Sequence, residues 1–86
     1  MADNIGWELY RTLLAVLQEG SLSGAARSLG ITQPTAGRHI EALERALKVS
    51  LFTRSQTGLQ PTDIALALRP HAETMQSTAA SLERAA

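Results

Sequence analysis

Residues 21–47 read SLSGAARSLGITQPTAGRHIEALERAL, and the reading of this stretch decides the fold. Leu22, Ala25, Ala26 and Leu29 recur at helical spacing and predict a short helix over about Ser23–Leu29. Gly30 follows at once, where a helix commonly closes in the left-handed region that glycine adopts freely. Ile31 is apolar and is placed to plug the corner. Thr32 can cap a second helix, and Pro34 suits its first turn, where a missing N–H costs nothing. In that second helix Ala36, Ile40, Leu43 and Leu47 form one stripe, while Gln33, Thr35, Arg38, His39 and Ala42 take the opposite face. Two short helices, a glycine turn, a small Ala-Ala pair at the crossing and a polar outer face describe a helix-turn-helix. The small pair lets the helices approach closely, and the polar face is the one a DNA major groove would meet. An ordinary αα-hairpin of a small helical domain is the competing reading of this stretch alone.

Working outward, the first 20 residues predict another helix. Trp7, Tyr10, Leu13, Leu14 and Leu17 make a stripe from about Ile5 to Gln18, with Asp3 or Asn4 as cap and Gly20 as stop. This helix is expected to lie across the other two, with Trp7 in core or edge packing. After Leu47 the pattern changes. Lys48, Val49 and Ser50 read as a helix exit. Leu51–Arg54 is β-compatible, Ser55-Gln56-Thr57-Gly58 is a turn of hairpin length, and Leu59-Gln60-Pro61 is a short return strand. Pro61 is acceptable only at an edge or a strand end. A two-stranded hairpin is marginal alone and must lie against the helices as a wing.

Thr62 is placed to cap a last helix over about Asp63–Glu83, with Asp63 near its positive end. Ile64, Leu68, Met75 and Leu82 share one side. Leu68, Met75 and Leu82 are spaced by sevens beside Ala72, Ala79 and Ala86, as in a closely packed helix pair. The first two turns are expected on the chain's own core. Beyond Pro70, which should bend or loosen the helix, the seam is expected to meet another helix. The fold class predicted is mainly α: a winged helix-turn-helix of three helices and a two-stranded wing over residues 1–62, then a long linker and dimerisation helix over 63–86.

The whole chain sets outer bounds. Eighty-six residues make one small domain whose limited core a partner subunit would help. There is no cysteine, so disulfides and thiolate metal sites are excluded. No apolar run reaches membrane-spanning length and no secretory layout opens the chain, so a cytoplasmic protein is expected. The net charge is zero, but its distribution is not uniform. Residues 1–26 carry −2, residues 27–54 carry +3, and residues 55–86 carry −1. The basic excess sits in the helix-turn-helix and wing, and pairing two copies would double its phosphate contacts. Two histidines, no glycine-rich phosphate loop and no metal-ligand spacing argue against an enzyme, a cofactor or a metal. Glu41 and Glu44, near Arg38, Arg45 and Lys48, read as solvated helix pairs.

The run A-A-x-x-L-x-I-T-Q-P-T-A-x-R-x-I-x-x-L-E-x-x-L-x-V-x-L-F-x-R, from Ala25 to Arg54, resembles the DNA-binding domain of LysR-type transcriptional regulators. Gln33-Pro34, Leu43-Glu44 and Leu51-Phe52 with Arg54 are its most specific pieces. The resemblance extends from about Trp7 to Leu82. It implies a winged helix-turn-helix whose linker helices pair antiparallel in a homodimer, binding an inverted-repeat operator in double-stranded DNA. An effector-binding domain normally follows in the family, and a small-molecule effector would act only through it. This chain does not contain one and reads as a fragment of a longer regulator rather than a free-standing protein. Two places depart from the family pattern. Gly37 stands where serine is usual, and Pro61-Thr62-Asp63-Ile64-Ala65 stands where Leu-Thr-x-x-Gly is usual. Gly37 removes a hydroxyl that often reaches DNA and costs about 1 kcal/mol of helix propensity relative to alanine. Thr35 and His39 are candidates to take over part of that contact.

Residue roles follow from donor chemistry. Gln33 can present its amide to adenine N6 and N7, Thr35 can touch a thymine methyl, and Arg38 can pair with guanine O6 and N7 or hold a phosphate. Pro34 and His39 complete the expected base-contact set. Phosphate or wing contacts are expected from Ser23, Thr32, Arg54, Gln56, Thr57 and Thr62, with N-capping compatible for Ser23, Thr32 and Thr62. Dimerisation is assigned to Leu68, Met75, Ala79 and Leu82. A winged-helix protein-interaction module without specific DNA binding is the alternative, which zero net charge would suit.

Overall fold

A computed structural model describes residues 5–86. Three helices, a hairpin and a long helix follow in order: α1 (Trp7–Glu19), α2 (Leu22–Leu29), α3 (Gln33–Leu47), β1 (Phe52–Ser55), β2 (Gly58–Pro61) and α4 (Asp63–Ala85). The winged helix-turn-helix with a trailing helix is therefore the architecture observed.

Each boundary has a local cause. α1 begins at Gly6 with no side-chain cap, while Asp3 and Asn4, the caps expected there, lie outside the described residues. It closes at Gly20, whose left-handed backbone (φ 79°) sends its N–H to the Val16 carbonyl. α2 is capped by Ser21, whose Oγ accepts from the Gly24 N–H at 3.0 Å. Ser23, expected at the helix start, lies inside its first turn instead. The helix begins one residue earlier, so the cap falls to the preceding serine. α2 ends at Gly30 (φ 71°), with the Ile31 N–H reaching back to the Ala26 carbonyl at 3.0 Å. Thr32 caps α3 as expected, its Oγ1 accepting from the Thr35 N–H at 3.3 Å. α3 closes on Lys48 at φ 59°, the sole non-glycine with positive φ among the described residues.

α1 is the centre of the packing. Thr12, Leu13, Leu14, Ala15 and Val16 are five consecutive buried residues, because α2, α3 and α4 all lie against this helix. Ala25, Ala36, Leu43, Leu51 and Ala65 are completely buried around it. The small residues at 25, 26 and 36 let α2 and α3 cross closely, as the Ala-Ala pair predicts. Trp7 is half-buried beside Ala79 and Ala80 of α4, an edge-packing role.

The wing is antiparallel in the register Phe52 with Pro61, Thr53 with Gln60, Arg54 with Leu59 and Ser55 with Gly58. Gln56 and Thr57 form its tip, and Pro61 ends β2, where a missing N–H is tolerated. α4 continues as one helix through Pro70. Ala65, Leu68 and Ala72 face inward, with Ala65 and Ala72 fully buried and Leu68 packed on the core. Among the described residues no helix is long and apolar enough to cross a membrane.

Candidate nucleic-acid interface

The start of α3 stands clear of the core. Gln33, Pro34 and Arg38 are exposed, while Ala36, Ile40 and Leu43 on the other side are buried. The helix is thus anchored by one stripe and presents the other. Its exposed polar groups are ordered. Thr32 Oγ1 donates to Thr35 Oγ1 at 2.9 Å, and Arg38 Nη2 donates to the same oxygen at 3.0 Å. Thr35 Oγ1 accepts both bonds and keeps its own hydroxyl proton as a donor. One bond fixes the Arg38 guanidinium along the helix and leaves its other N–H groups for a partner. Neither Arg38 nor Arg54 forms an ion pair among the described residues, where the sole pair is Arg69 with Glu73 at 3.3 Å.

The wing closes one side of this face. Arg54, Phe52 and Leu59 share the wing surface that looks toward Leu22, Gly37, Ile40 and Glu44. Arg54 and Ser55 border a cleft whose other wall carries Ser21, Ser23 and Gln33. The structure therefore brings Gln33, Ser23 and Arg54 around one opening, with Gln56 and Thr57 exposed at the wing tip.

Three expected roles change. His39 is not on the free face: its Nδ1 lies 2.8 Å from Thr12 Oγ1, on the α1 side. Thr12 is 1% exposed and donates its proton to the Glu8 carbonyl at 2.9 Å, so the imidazole Nδ1 is the donor to Thr12. Thr62 spends its hydroxyl inside the fold. Its Oγ1 donates toward the Ser50 and Leu51 carbonyls at 2.7 and 3.2 Å and accepts from the Ala65 N–H at 3.3 Å. That leaves no proton for a phosphate. Glu44 is not a solvated partner of Arg45 or Lys48. Its Oε2 accepts from the Leu51 N–H at 2.8 Å and the Phe52 N–H at 3.4 Å. The carboxylate fastens the start of the wing to α3, a role the sequence reading did not assign.

Residues 7–66 match the model of the bacterial regulatory helix-turn-helix proteins of the lysR family. The chain belongs to the LysR family. The match takes in α1, the helix-turn-helix, the wing and the first turn of α4. The small neutral protease regulatory protein of Streptomyces coelicolor is 46% identical over 54 residues, 63% of this chain and 16% of that protein. The HTH-type transcriptional regulator CbbR of Sinorhizobium medicae is 36% identical over 80 residues, 93% of this chain and 26% of that protein. The solved CbnR DNA-binding domain in complex with DNA superposes with a TM-score of 0.82 at 30% identity, covering 93% of each chain. This LysR-family chain spans between 16% and 33% of the length of the first curated relatives it matches.

The LysR motif pieces acquire physical meaning in this geometry. In Leu43-Glu44 the leucine is completely buried and the glutamate clamps the wing. In Leu51-Phe52 the leucine fills the core and the phenylalanine seats the wing on α2 and α3. Ser21 was legible as a cap only with the helix start placed one residue earlier. Thr12 and Glu44 act over contacts that no local pattern announces.

Proposed function

We propose that this LysR-type DNA-binding domain reads double-stranded DNA in a sequence-specific manner, with α3 in the major groove. What carries the reading is the exposed start of α3, where Gln33, Pro34 and Arg38 project from a helix whose other side is buried. Gln33 and Arg38 read base edges with Pro34 and Thr35 beside them, and Arg38 is pre-positioned by Thr35. Ser23, Thr32, Arg54, Gln56 and Thr57 hold the backbone on either side, Arg54 from the wing. His39 and Thr62 are positioning residues in this account. No catalysis and no cofactor are assigned.

The active form is a homodimer on an inverted-repeat operator, residues 1–62 reading DNA and 63–86 pairing the copies. Met75 and Leu82 are 37% and 70% exposed, and Ile64 on the same side is 40% exposed. They support pairing, whereas Leu68 serves the chain's own core and Ala79 borders the groove against Trp7. The protein works in the cytoplasm on bacterial DNA, and a small-molecule effector acts through a separate domain of the full regulator.

Affinity measured against salt tests the DNA reading. Each neutralised phosphate contributes about −0.9 to the slope of log K against log salt, so a steep fall is expected. A flat, negligible affinity would favour the protein-interaction module instead.

A further inference from the structure

Gly37 opens a notch in the middle of the α3 face. Leu22, Gln33 and Pro34 border it, with Arg38 and Glu41 on the rim. A Cβ at position 37 would meet only the Leu22 Cδ1, at 3.9 Å. The missing side chain therefore leaves a methyl-sized space above an apolar floor, beside the polar Gln33, Arg38 and Glu41. In the major groove thymine alone offers an apolar group, its C5-methyl. The same base pair presents adenine N6 and N7 beside that methyl, and the Gln33 amide at the notch has the matching acceptor and donor. Glu41 on the rim repels a phosphate, so the notch suits a base edge rather than the backbone.

We propose that Gly37, with Leu22 as its floor, is a specificity-determining subsite that takes the C5-methyl of one thymine in each half-site. The subsite rests on the reading that α3 enters the major groove. Gly37 contributes by leaving room, and Leu22 by supplying the surface that the methyl covers. Thr35, the other group able to touch a thymine methyl, lies outside the notch, so the two contacts separate by mutation.

The test starts from a preferred site selected from random duplexes with the purified protein. Each thymine is then replaced in turn by deoxyuridine, which removes the methyl alone. Affinity is expected to fall about 3- to 5-fold at one position per half-site, the worth of covering one methyl-sized group. Gly37→Ser places a side chain in the notch and raises helix propensity, so it folds and should abolish that difference. A flat deoxyuridine scan, or a thymine preference that persists in Gly37→Ser, overturns the subsite while leaving the major-groove reading in place. Failure to select any preferred site defeats the major-groove reading, and the subsite with it.

Discussion

Glu44 faces the wing rather than water, and its carboxylate is the acceptor for the N–H of Leu51, a completely buried residue. Removing it strands that donor. Glu44→Ala is expected to cost about 1–3 kcal/mol of stability, read as a lower urea midpoint. Glu44→Gln keeps an acceptor oxygen and should recover most of the loss. Thr12 and His39 make a second such tie, between α1 and α3. A double-mutant cycle with Thr12→Val and His39→Ala should show a coupling of at least about 0.5 kcal/mol, since the two share one bond. Additive losses would mean that the bond contributes nothing. Both ties explain what the sequence left hidden. His39 follows the polar stripe of α3 on a helical wheel, but a wheel does not reveal that α1 brings a buried hydroxyl to that edge. Glu44 looks like any helix-surface acid until the chain after Lys48 turns back over it. Thr62 likewise reads as a cap and is one, while its bonds to Ser50 and Leu51 depend on how the hairpin returns.

The elements were legible where their signals are local. Gly20, Gly30, Thr32 and Thr62 mark helix ends through backbone conformation and short-range hydrogen bonds, and all four do so in the structure. α2 starts one residue before the predicted Ser23, because Ser21 Oγ takes the Gly24 N–H and fixes the cap there, a bond that helical periodicity alone does not reveal. At the end of α3, Lys48 holds a left-handed backbone that costs a non-glycine residue about 1 kcal/mol. Lys48→Gly should therefore raise stability by up to about 1 kcal/mol, seen as a higher thermal midpoint. A lower midpoint would show that the lysine side chain contributes more than its backbone strain costs. α4 divides into an inward stripe of Ala65, Leu68 and Ala72 and an exposed set of Ile64, Met75 and Leu82. Leu82→Glu should shift the protein toward monomer in sedimentation while changing the monomer's own stability by less than about 0.5 kcal/mol. A dimer that survives the substitution would place the interface elsewhere.

At the scale of the whole molecule, a chain of zero net charge presents a basic region of +3 over residues 27–54 between two acidic flanks. Overall charge therefore hides the surface that matters to a polyanion. The excess is small, so a single copy should hold DNA weakly and two copies joined through α4 should hold it far better. The packing serves that arrangement. α1 lies at the centre with Thr12–Val16 buried, α2 and the wing flank α3, and α3 is left with one side anchored and one side open. The most direct test of that open side is a pair of titrations of Arg38→Ala, one on the selected site and one on a scrambled duplex. Losing a guanine contact should weaken binding to the selected site by about 1–3 kcal/mol, a factor of roughly 5 to 150, with a much smaller change on scrambled DNA. Equal weakening on both would contradict the account, because Arg38 would then be holding phosphate rather than reading bases.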